Sequence, residues 1–348
     1  MSKEDSSMTA FRAAYVRFRR RPDQPDRWDD LSEMIDFGGQ IDDDPRIRRL
    51  PSLSQEDVYQ GPIFGLRDCP GFLYAPQALS TDLQHFLSYR ALSVYCEKPH
   101  TTNIDLVPPK PQEIVNNIEN NESQWDLWNK IVRNEDSTEK PKTSQSTKRT
   151  FYRNFDKLSW ATLGHHYDWT SRTYPPEMSS PMAPELTDLS TFFARTAFQY
   201  SDASTNTSFS FAATASIVNF YNAKSNMGCH RDDGELAVDK PIVSVSMGRP
   251  AVFLLGGASK DDVPVPILVR AGDVMILGGA SRLNYHSMAR LLPFEGLPPV
   301  AESACPREPV GWAGLEPVSP EDMVFVNEFL SSHRINVNVR QVFPDSKV

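Results

Sequence analysis

Hydrophobic residues recur at helical spacing in four segments before residue 210. Apolar side chains three or four positions apart form one face of an α-helix. The segments with this pattern are residues 8–20, Leu79–Cys96, Ile114–Val132 and Pro184–Tyr200. In the first segment, Phe11, Tyr15 and Phe18 share a face that arginines surround, and Pro22 closes the segment. We therefore predict an N-terminal amphipathic helix that packs on the protein body and exposes its basic residues.

Three other segments lack this period. Residues 22–60 are rich in Pro and Asp, and we expect an extended tether there. Arg133–Thr150 consists mainly of Ser, Thr, Lys and Glu with little to bury, which predicts a mobile loop. Residues 158–175 mix aromatic and polar side chains without a helical period, which indicates a hairpin or a loop that presents rings.

The pattern changes after residue 211, where short apolar or alternating runs follow one another with glycine turns between them. Runs of this kind predict strands. They are Ala215–Tyr221, Ile242–Met247, Ala251–Leu255, Val265–Val269, Val274–Leu277 and Ile335–Val339. Pro70–Tyr74 predicts one more strand upstream. Short strands without helices between them favour a sandwich or jelly roll. Together with the helices predicted before residue 210, these strands give α+β as the expected fold class.

Composition adds limits on compartment and partners. The 348 residues carry a net charge of -9, so any binding to nucleic acid requires a local basic patch. The four cysteines are scattered and form no C-x-x-C pair, which argues against a disulfide framework and suits a reducing compartment. No apolar run is long enough to span a bilayer, and we expect no membrane association. We expect the nucleus or cytoplasm, and the basic segment Arg12–Arg21 leaves a mitochondrial address open.

His230 and Asp232 are candidate metal ligands. Residues i and i+2 of an extended strand point to the same face, and one imidazole with one carboxylate supplies two of the three ligands of the facial triad that binds non-heme Fe(II). His286 follows a strand-like run and a Gly-Gly turn, so it can complete the triad from another strand. Taken as isolated residues, Asp232 would more often be a turn acid and His286 a core histidine with satisfied hydrogen bonds. The adjacent His165 and His166 compete, although neighbours on a strand point to opposite faces.

The C-terminal strand predicts a second candidate site. Polar and apolar residues alternate strictly there, and the polar ones share a face: Arg334, Asn336, Asn338 and Arg340. Facing outward, they would belong to an ordinary half-buried strand. Facing inward, the guanidinium groups would suit 2-oxoglutarate, a dicarboxylate with one end on iron, because arginine binds carboxylates in bidentate geometry. Asn219 and Tyr221, on the strand that leads to His230, can donate hydrogen bonds to the same acid.

A longer set of motifs accompanies these residues. It comprises Asn-x-Tyr and His-x-Asp within residues 219–232, Ser244–Gly257, Gly272-Asp273, Ser281–Leu283, Tyr285-His286 and Arg-x-Asn-x-Asn-x-Arg at 334–340. This set resembles the AlkB family of Fe(II)/2-oxoglutarate dioxygenases. Upstream segments are similar to its eukaryotic AlkB homologue 1 subgroup: Phe11-Arg12, Ile35–Phe37, Gly65–Phe72 and Gly164–Trp169.

The resemblance implies a double-stranded β-helix (jelly roll) core with N-terminal helices and a substrate-recognition lid. The division it suggests is 1–60 as an N-terminal extension, 61–210 as helical support and nucleotide-recognition lid, and 211–348 as the catalytic core. It implies Fe(II) on the catalytic residues His230, Asp232 and His286, with O2 and 2-oxoglutarate as cosubstrates. It implies that 2-oxoglutarate binds Asn219, Tyr221, Arg334, Asn336 and Arg340.

The implied substrate contacts are Trp169 and Tyr174, which would stack on a base, and Lys260 in the loop after a Gly-Gly turn. The chain departs from the family at one position. Bacterial members have an acid two residues beyond the metal aspartate, where this chain has Gly234, with Glu235 next to it. Base discrimination at that position therefore does not carry over.

The function that the resemblance implies is oxidative demethylation of N-methylated bases, 1-methyladenine in tRNA or N6-methyladenine in DNA, with release of formaldehyde, succinate and CO2. The base would be unpaired or flipped, and we expect a monomer. The alternative is a 2-oxoglutarate oxygenase that acts on a protein such as a histone, or on a small molecule. A metal-free binding module is the third class, and it requires that His230, Asp232 and His286 hold no iron.

Overall fold

The structure is a computed structural model that describes residues 8–19, 31–39, 41, 44–55, 57–105, 157–201, 208–294 and 318–345. The helix predicted at Ile114–Val132 and the loop predicted at Arg133–Thr150 lie outside these residues. Within the described segments, every helix is too short or too polar to span a membrane.

Four α-helices lie in the described part of the chain: α1 (Ala10–Phe18), α2 (Thr81–Ser93), α3 (Pro184–Gln199) and α4 (Pro320–Ser332). The hydroxyls of Thr9, Ser80 and Ser319 accept hydrogen bonds from first-turn N–H groups and so cap α1, α2 and α4. Pro184 opens α3, at a position where no helical N–H is needed. The first three helices confirm the predicted periodicity, while α4 was not predicted.

The strands form two antiparallel sheets. The nine-stranded sheet has the order β1 (Ile47–Arg49), β2 (Phe64–Leu66), β3 (Cys69–Ala75), β11 (Val274–Leu277), β8 (Ile242–Gly248), β13 (Arg334–Arg340), β6 (Ala215–Tyr221), β5 (Trp160–Gly164) and β4 (Thr101–Thr102). The four-stranded sheet has the order β10 (Val265–Val269), β9 (Ala251–Leu255), β12 (His286–Leu291) and β7 (Met227–His230). All predicted strands are present.

Alternation along the central strands gives the large sheet two different faces. Its outer face packs against α2, α3 and α4 through buried apolar side chains that include Val218, Val245, Ile335 and Val337. Helix α1 covers the outer face of the small sheet with its own Phe11, Tyr15 and Phe18. The inner faces are apolar at one end, where Phe72, Tyr74 and Ile267 meet, and polar at the other. The result is the expected jelly roll with α-helices around it, and the α+β class is confirmed.

The tether predicted for residues 22–60 is wrong for the part that the structure describes. Strand β1 pairs with β2, Ile35 bridges to Ile267, and the Phe37 ring stacks 4.4 Å from that of Tyr74. These apolar residues show no period of their own because each is buried by a distant segment. Similarly, Trp160–Gly164 forms β5, and only the residues after it form a ring-presenting loop.

Candidate active site

Two imidazoles and one carboxylate converge at one end of the small sheet. His230 ends β7 and His286 begins β12, and the antiparallel register places these two residues directly opposite each other. Asp232 lies two residues beyond the end of β7. Its carboxylate oxygens are 3.8 Å from Nε2 of His230 and 4.0 Å from Nε2 of His286. One ligand atom from each residue therefore lies within 4.8 Å of the others.

Both histidines turn the same nitrogen toward this centre. Nδ1 of His230 is 2.9 Å from the Gly228 carbonyl oxygen, and Nδ1 of His286 is 3.0 Å from that of Asn284. When Nδ1–H donates to a carbonyl, Nε2 keeps its lone pair for a metal. Burial lowers the pKa of His286 to about 4, so its ring is neutral at pH 7.

Asp232 remains a carboxylate in this setting. Burial alone would favour its neutral form, but the charged groups around it, of which the Arg340 guanidinium contributes most, together outweigh burial and hold the pKa of Asp232 well below its ordinary value. Nη2 of Arg340 lies 3.4 Å from the carboxylate. Two imidazoles and one ionised carboxylate on one side of a centre are the ligands that non-heme Fe(II) takes.

The polar face of β13 points inward, into a cavity of about 810 Å³ that also contains the triad. Register pairs Arg334 with Tyr221 and Asn336 with Asn219, so β6 and β13 present one continuous polar wall. Asn336 is held by bonds from its amide to Ser244 Oγ at 2.9 Å and to the Val245 carbonyl at 3.0 Å. The alternative of an outward-facing strand is therefore excluded.

Arg334 is a buried cation whose direct hydrogen bonds, within the described residues, go to uncharged groups. Its Nη2 donates to Ser246 Oγ at 2.6 Å and its Nη1 to the Arg249 carbonyl at 3.1 Å, while Nε has no partner. Among the described residues no carboxylate forms an ion pair with it, and burial lowers its pKa. A buried guanidinium in this state suits an anionic ligand such as a carboxylate.

Arg340 has different partners. Its Nη1 donates to Glu235 Oε1 at 2.8 Å, and it lies against Asp232, so its charge is engaged by two acids of the protein. Glu235 also accepts hydrogen bonds from Tyr174 and from the buried Arg282. The sequence analysis noted Glu235 only as the neighbour of Gly234, where the chain departs from the family, and it named Arg282 only within a family motif.

Comparison with known proteins agrees with this geometry. The profile of the 2OG-Fe(II) oxygenase superfamily matches residues 112–340. "Nucleic acid dioxygenase ALKBH1" of Homo sapiens is 33% identical over 84% of this chain and 72% of that protein. "DNA N(6)-methyladenine demethylase ALKBH1A" of Arabidopsis thaliana is 29% identical over 98% of both chains, and "tRNA demethylase abh1" of Schizosaccharomyces pombe is 30% identical over 54% of both.

The chain belongs to the ALKBH1 group of the 2OG-Fe(II) oxygenase superfamily. As a member of this superfamily it is an enzyme that uses Fe(II), 2-oxoglutarate and O2. The residues present fit these groups. The triad offers two Nε2 lone pairs and a carboxylate that could hold Fe(II), and the unpaired Nε of Arg334 could meet a carboxylate of 2-oxoglutarate.

Aromatic rings line the entrance to the cavity of this oxygenase. Trp169 is 49% exposed, and its ring lies 4.8 Å from Tyr167, which in turn lies 5.1 Å from Tyr174. Tyr174 is buried, with its hydroxyl bonded to Glu235 at 2.9 Å. The structure therefore brings both predicted stacking residues to the cavity, one exposed and one anchored, and adds Tyr167 between them.

Cations also line this cavity. Nζ of Lys260 is 5.3 Å from the centroid of the Tyr285 ring, and the Arg231 guanidinium is 5.4 Å from the same centroid. Sequence reasoning proposed Lys260 and missed Arg231 and Tyr285. A cation over an aromatic face is a contact that only the folded chain reveals, because it joins residues far apart in sequence.

His165 and His166, the competing metal pair, have other roles. Nδ1 of His165 lies 3.0 Å from the Pro175 carbonyl, and Nε2 of His166 lies 2.9 Å from Ser180 Oγ. In the part of the chain that the structure describes, neither joins a cluster of metal-ligand type; the cluster found there is the His230, Asp232 and His286 triad.

Proposed function

We propose that this oxygenase removes N-methyl groups from nucleic-acid bases, N6-methyladenine in DNA or 1-methyladenine in tRNA. One observation carries the proposal: the cavity that contains the triad is also lined by the exposed Trp169, whose ring contacts Tyr167, which in turn contacts the buried Tyr174. Bases stack on such rings, and a base can reach a buried centre only when it is unpaired or flipped. The names of the relatives, a nucleic acid dioxygenase and demethylases of DNA and tRNA, support the same substrate class.

His230, Asp232 and His286 would hold the iron in this proposal. Bound Fe(II) with 2-oxoglutarate and O2 supplies the oxidation of an N-methyl carbon, after which the base is released unmodified together with formaldehyde. The protein contributes orientation and shelter from water. Gly228 and Asn284 fix the two rings through their carbonyls, and Arg340 is the largest of the charges that lower the pKa of Asp232.

The polar wall would position 2-oxoglutarate. Arg334, braced by Ser246 and the Arg249 carbonyl, would bind one carboxylate, and Tyr221 and Asn219 lie opposite on β6 to donate hydrogen bonds. Asn336 belongs to the same wall. Arg340 would act on the metal side of this site, because its charge is engaged by Asp232 and Glu235.

The entrance would select the substrate. Trp169, Tyr167 and Tyr174 would hold the base by stacking. Arg231 and Lys260 would contact phosphate, and so supply the local positive charge that a chain of net charge -9 requires.

Mass spectrometry of nucleosides tests this proposal. Matched DNA and tRNA oligonucleotides, each with and without one methylated adenine, are incubated with the enzyme, Fe(II) and 2-oxoglutarate. We expect loss of the methyl group from at least one methylated oligonucleotide, and no loss with a His286→Ala variant. Retention of the methyl group in all of them, with turnover on a methylated histone peptide instead, would favour the protein-substrate alternative.

We also propose the monomeric state and a nuclear or cytoplasmic location, with the mitochondrion as the alternative location, on the basis of sequence alone. Size-exclusion chromatography with light scattering and imaging of a tagged full chain would test these two points.

A further inference from the structure

The segment that bears Asp232 has no regular structure of its own. Strand β7 ends at His230, and the next strand, β8, begins at Ile242. Asp232 therefore lies outside the ladder of backbone hydrogen bonds that fixes His230 and His286 relative to each other. Backbone bonds from Leu236 and Ala237 to the Val342 carbonyl fix the later part of the segment, and side chains from elsewhere in the fold contact the part around Asp232.

Arg282 supplies the central contacts. This side chain is only 2% exposed and lies in a short helix, Gly279–Leu283, directly before His286. Its Nη1 donates to the Asp232 backbone carbonyl at 2.6 Å and its Nε to the Lys240 carbonyl at 3.0 Å. One guanidinium thus joins the segment of one candidate metal ligand to the segment of another.

Glu235 completes the arrangement. It is 3% exposed, and its carboxylate accepts bonds from Arg282 Nη2 at 2.9 Å and from Arg340 Nη1 at 2.8 Å. Arg340 also lies against Asp232. Two guanidinium and two carboxylate groups therefore balance in a buried cluster, Arg282–Glu235–Arg340 with Asp232, in which removal of one member leaves another charge unpaired.

The same carboxylate reaches the lid loop, which we define as residues 165–175. The Tyr174 hydroxyl donates to Glu235 Oε1 at 2.9 Å. At its base, the lid loop is closed by bonds from the N–H groups of Ser179 and Ser180 to the Gly164 carbonyl. Tyr174 is thus a tie between the lid loop and the segment that carries Asp232.

We propose that Glu235 and Arg282 are positioning residues that hold Asp232 in place for metal and transmit metal occupancy to the lid loop through Tyr174. A metal ion that immobilises Asp232 would stabilise the Glu235 carboxylate and, through it, the Tyr174 hydroxyl bond. By linkage, lid order and metal affinity then depend on each other. The inference rests on the assignment of the triad to Fe(II) made above.

The test combines calorimetry with hydrogen exchange, using Mn²⁺ as the probe so that no turnover is needed. For Arg282→Lys and Glu235→Gln we expect Mn²⁺ affinity to fall roughly 10- to 100-fold, the usual effect of losing a group that orients a metal ligand. In the wild-type protein, Mn²⁺ should slow amide exchange in the lid loop. In Tyr174→Phe this slowing should be lost, and by the same linkage Mn²⁺ affinity should fall by the factor by which Mn²⁺ slows lid exchange in the wild-type protein.

Arg270→Lys is the matched control, because Arg270 is also buried and paired with an acid, Asp36, but outside the triad. It should bind Mn²⁺ like wild type, and melting curves would show whether each variant is folded. Wild-type Mn²⁺ affinity in folded Arg282→Lys and Glu235→Gln would overturn the positioning role. Unchanged metal-dependent protection of the lid loop in Tyr174→Phe would overturn the coupling. Wild-type Mn²⁺ binding by His230→Ala would instead refute the metal site itself.

Discussion

The polar wall formed by β6 and β13 and the entrance formed by the lid loop and residues 231–235 line the same cavity but are built differently. The wall is part of a sheet in which register alone places each side chain, so Arg334 faces Tyr221 and Asn336 faces Asn219. The entrance consists of loops whose rings and charges are held by contacts with distant segments, such as Tyr174 with Glu235. The wall therefore suits the unvarying cosubstrate, and the entrance suits a substrate that must be admitted and released.

The largest effect should come from the centre that both regions share. His286→Ala removes one of three ligands, and we expect the affinity for Fe(II) to fall by at least roughly 100-fold. This loss exceeds the one expected when a residue that orients a ligand is removed. After anaerobic reconstitution, the variant should therefore retain little iron. Metal analysis of the desalted protein measures this. His165→Ala is the control, and iron retention by His286→Ala equal to that of the control would contradict the assignment.

The second largest effect should come from Arg334→Lys in the polar wall. Lysine loses the fork of donors that a carboxylate takes, and loss of charged hydrogen bonds worth about 1.5–3 kcal/mol raises the KM for 2-oxoglutarate roughly 10- to 100-fold. The KM for the methylated oligonucleotide should not change. An equal rise in the KM for 2-oxoglutarate and in the KM for the oligonucleotide would mean that the wall and the entrance do not bind different ligands.

A substitution on the opposite face of β13 provides a comparison for Arg334→Lys. Ile335 points away from the cavity into the apolar core beneath the helices. Ile335→Ala should lower the free energy of unfolding by roughly 2–5 kcal/mol, measured by urea titration, with the KM for 2-oxoglutarate unchanged in the folded enzyme. A raised KM would contradict the assignment of one face of β13 to cosubstrate binding and of the other face to core packing.

A smaller effect is expected at the entrance. Trp169→Ala removes the exposed ring, and because one base–aromatic stack contributes about 1–3 kcal/mol, the KM for the oligonucleotide should rise by about tenfold. Trp169→Phe keeps a stacking face and should recover most of this loss. The KM for 2-oxoglutarate should be that of wild type in both variants. An unaffected oligonucleotide KM in Trp169→Ala would remove this ring from the substrate site.

The smallest effect concerns pH and the base of the lid loop, where His100 and His166 both contact Ser180. Burial, with smaller contributions from His166 and Arg90, lowers the pKa of His100 to about 4. Between pH 6.5 and 4 the unfolded chain takes up a proton that folded His100 does not, so stability is full above this window and falls as pH is lowered through it. Melting curves across the window should show a smaller loss for His100→Gln, and identical pH profiles would contradict this.

Much of the wall was predictable from sequence, because a strand of period two reveals both of its faces. The alternation in Arg334–Arg340 and the spacing of Asn219, Tyr221 and His230 needed no knowledge of the fold. The entrance was less predictable. Trp169, Tyr174 and Lys260 followed only from family resemblance, and the cluster of Arg282, Glu235 and Arg340 joins three segments that nothing in the local pattern relates.

Strands β1, β2 and β4 were missed for a related reason, whereas the sequence predicted a hairpin or a loop for the segment of β5. All four are short, and the apolar residues among them are buried by partners far along the chain, as Ile47 opposite Leu66 and Trp160 opposite Asn219 illustrate. The Pro- and Asp-rich composition of residues 22–60 predicted a tether, although Ile35 and Phe37 within it pack into the core between the sheets.

The ratio of formaldehyde to succinate tests most directly the claim that one cavity joins the cosubstrate wall to a base-binding entrance. With a methylated oligonucleotide that the enzyme accepts, the two products should form in equal amounts, and Trp169→Ala should slow both together at low oligonucleotide concentration. Unmethylated oligonucleotide should give no formaldehyde. Succinate formed at one rate with either oligonucleotide, and without formaldehyde, would contradict the claim, because 2-oxoglutarate would then be consumed without oxidation of the base.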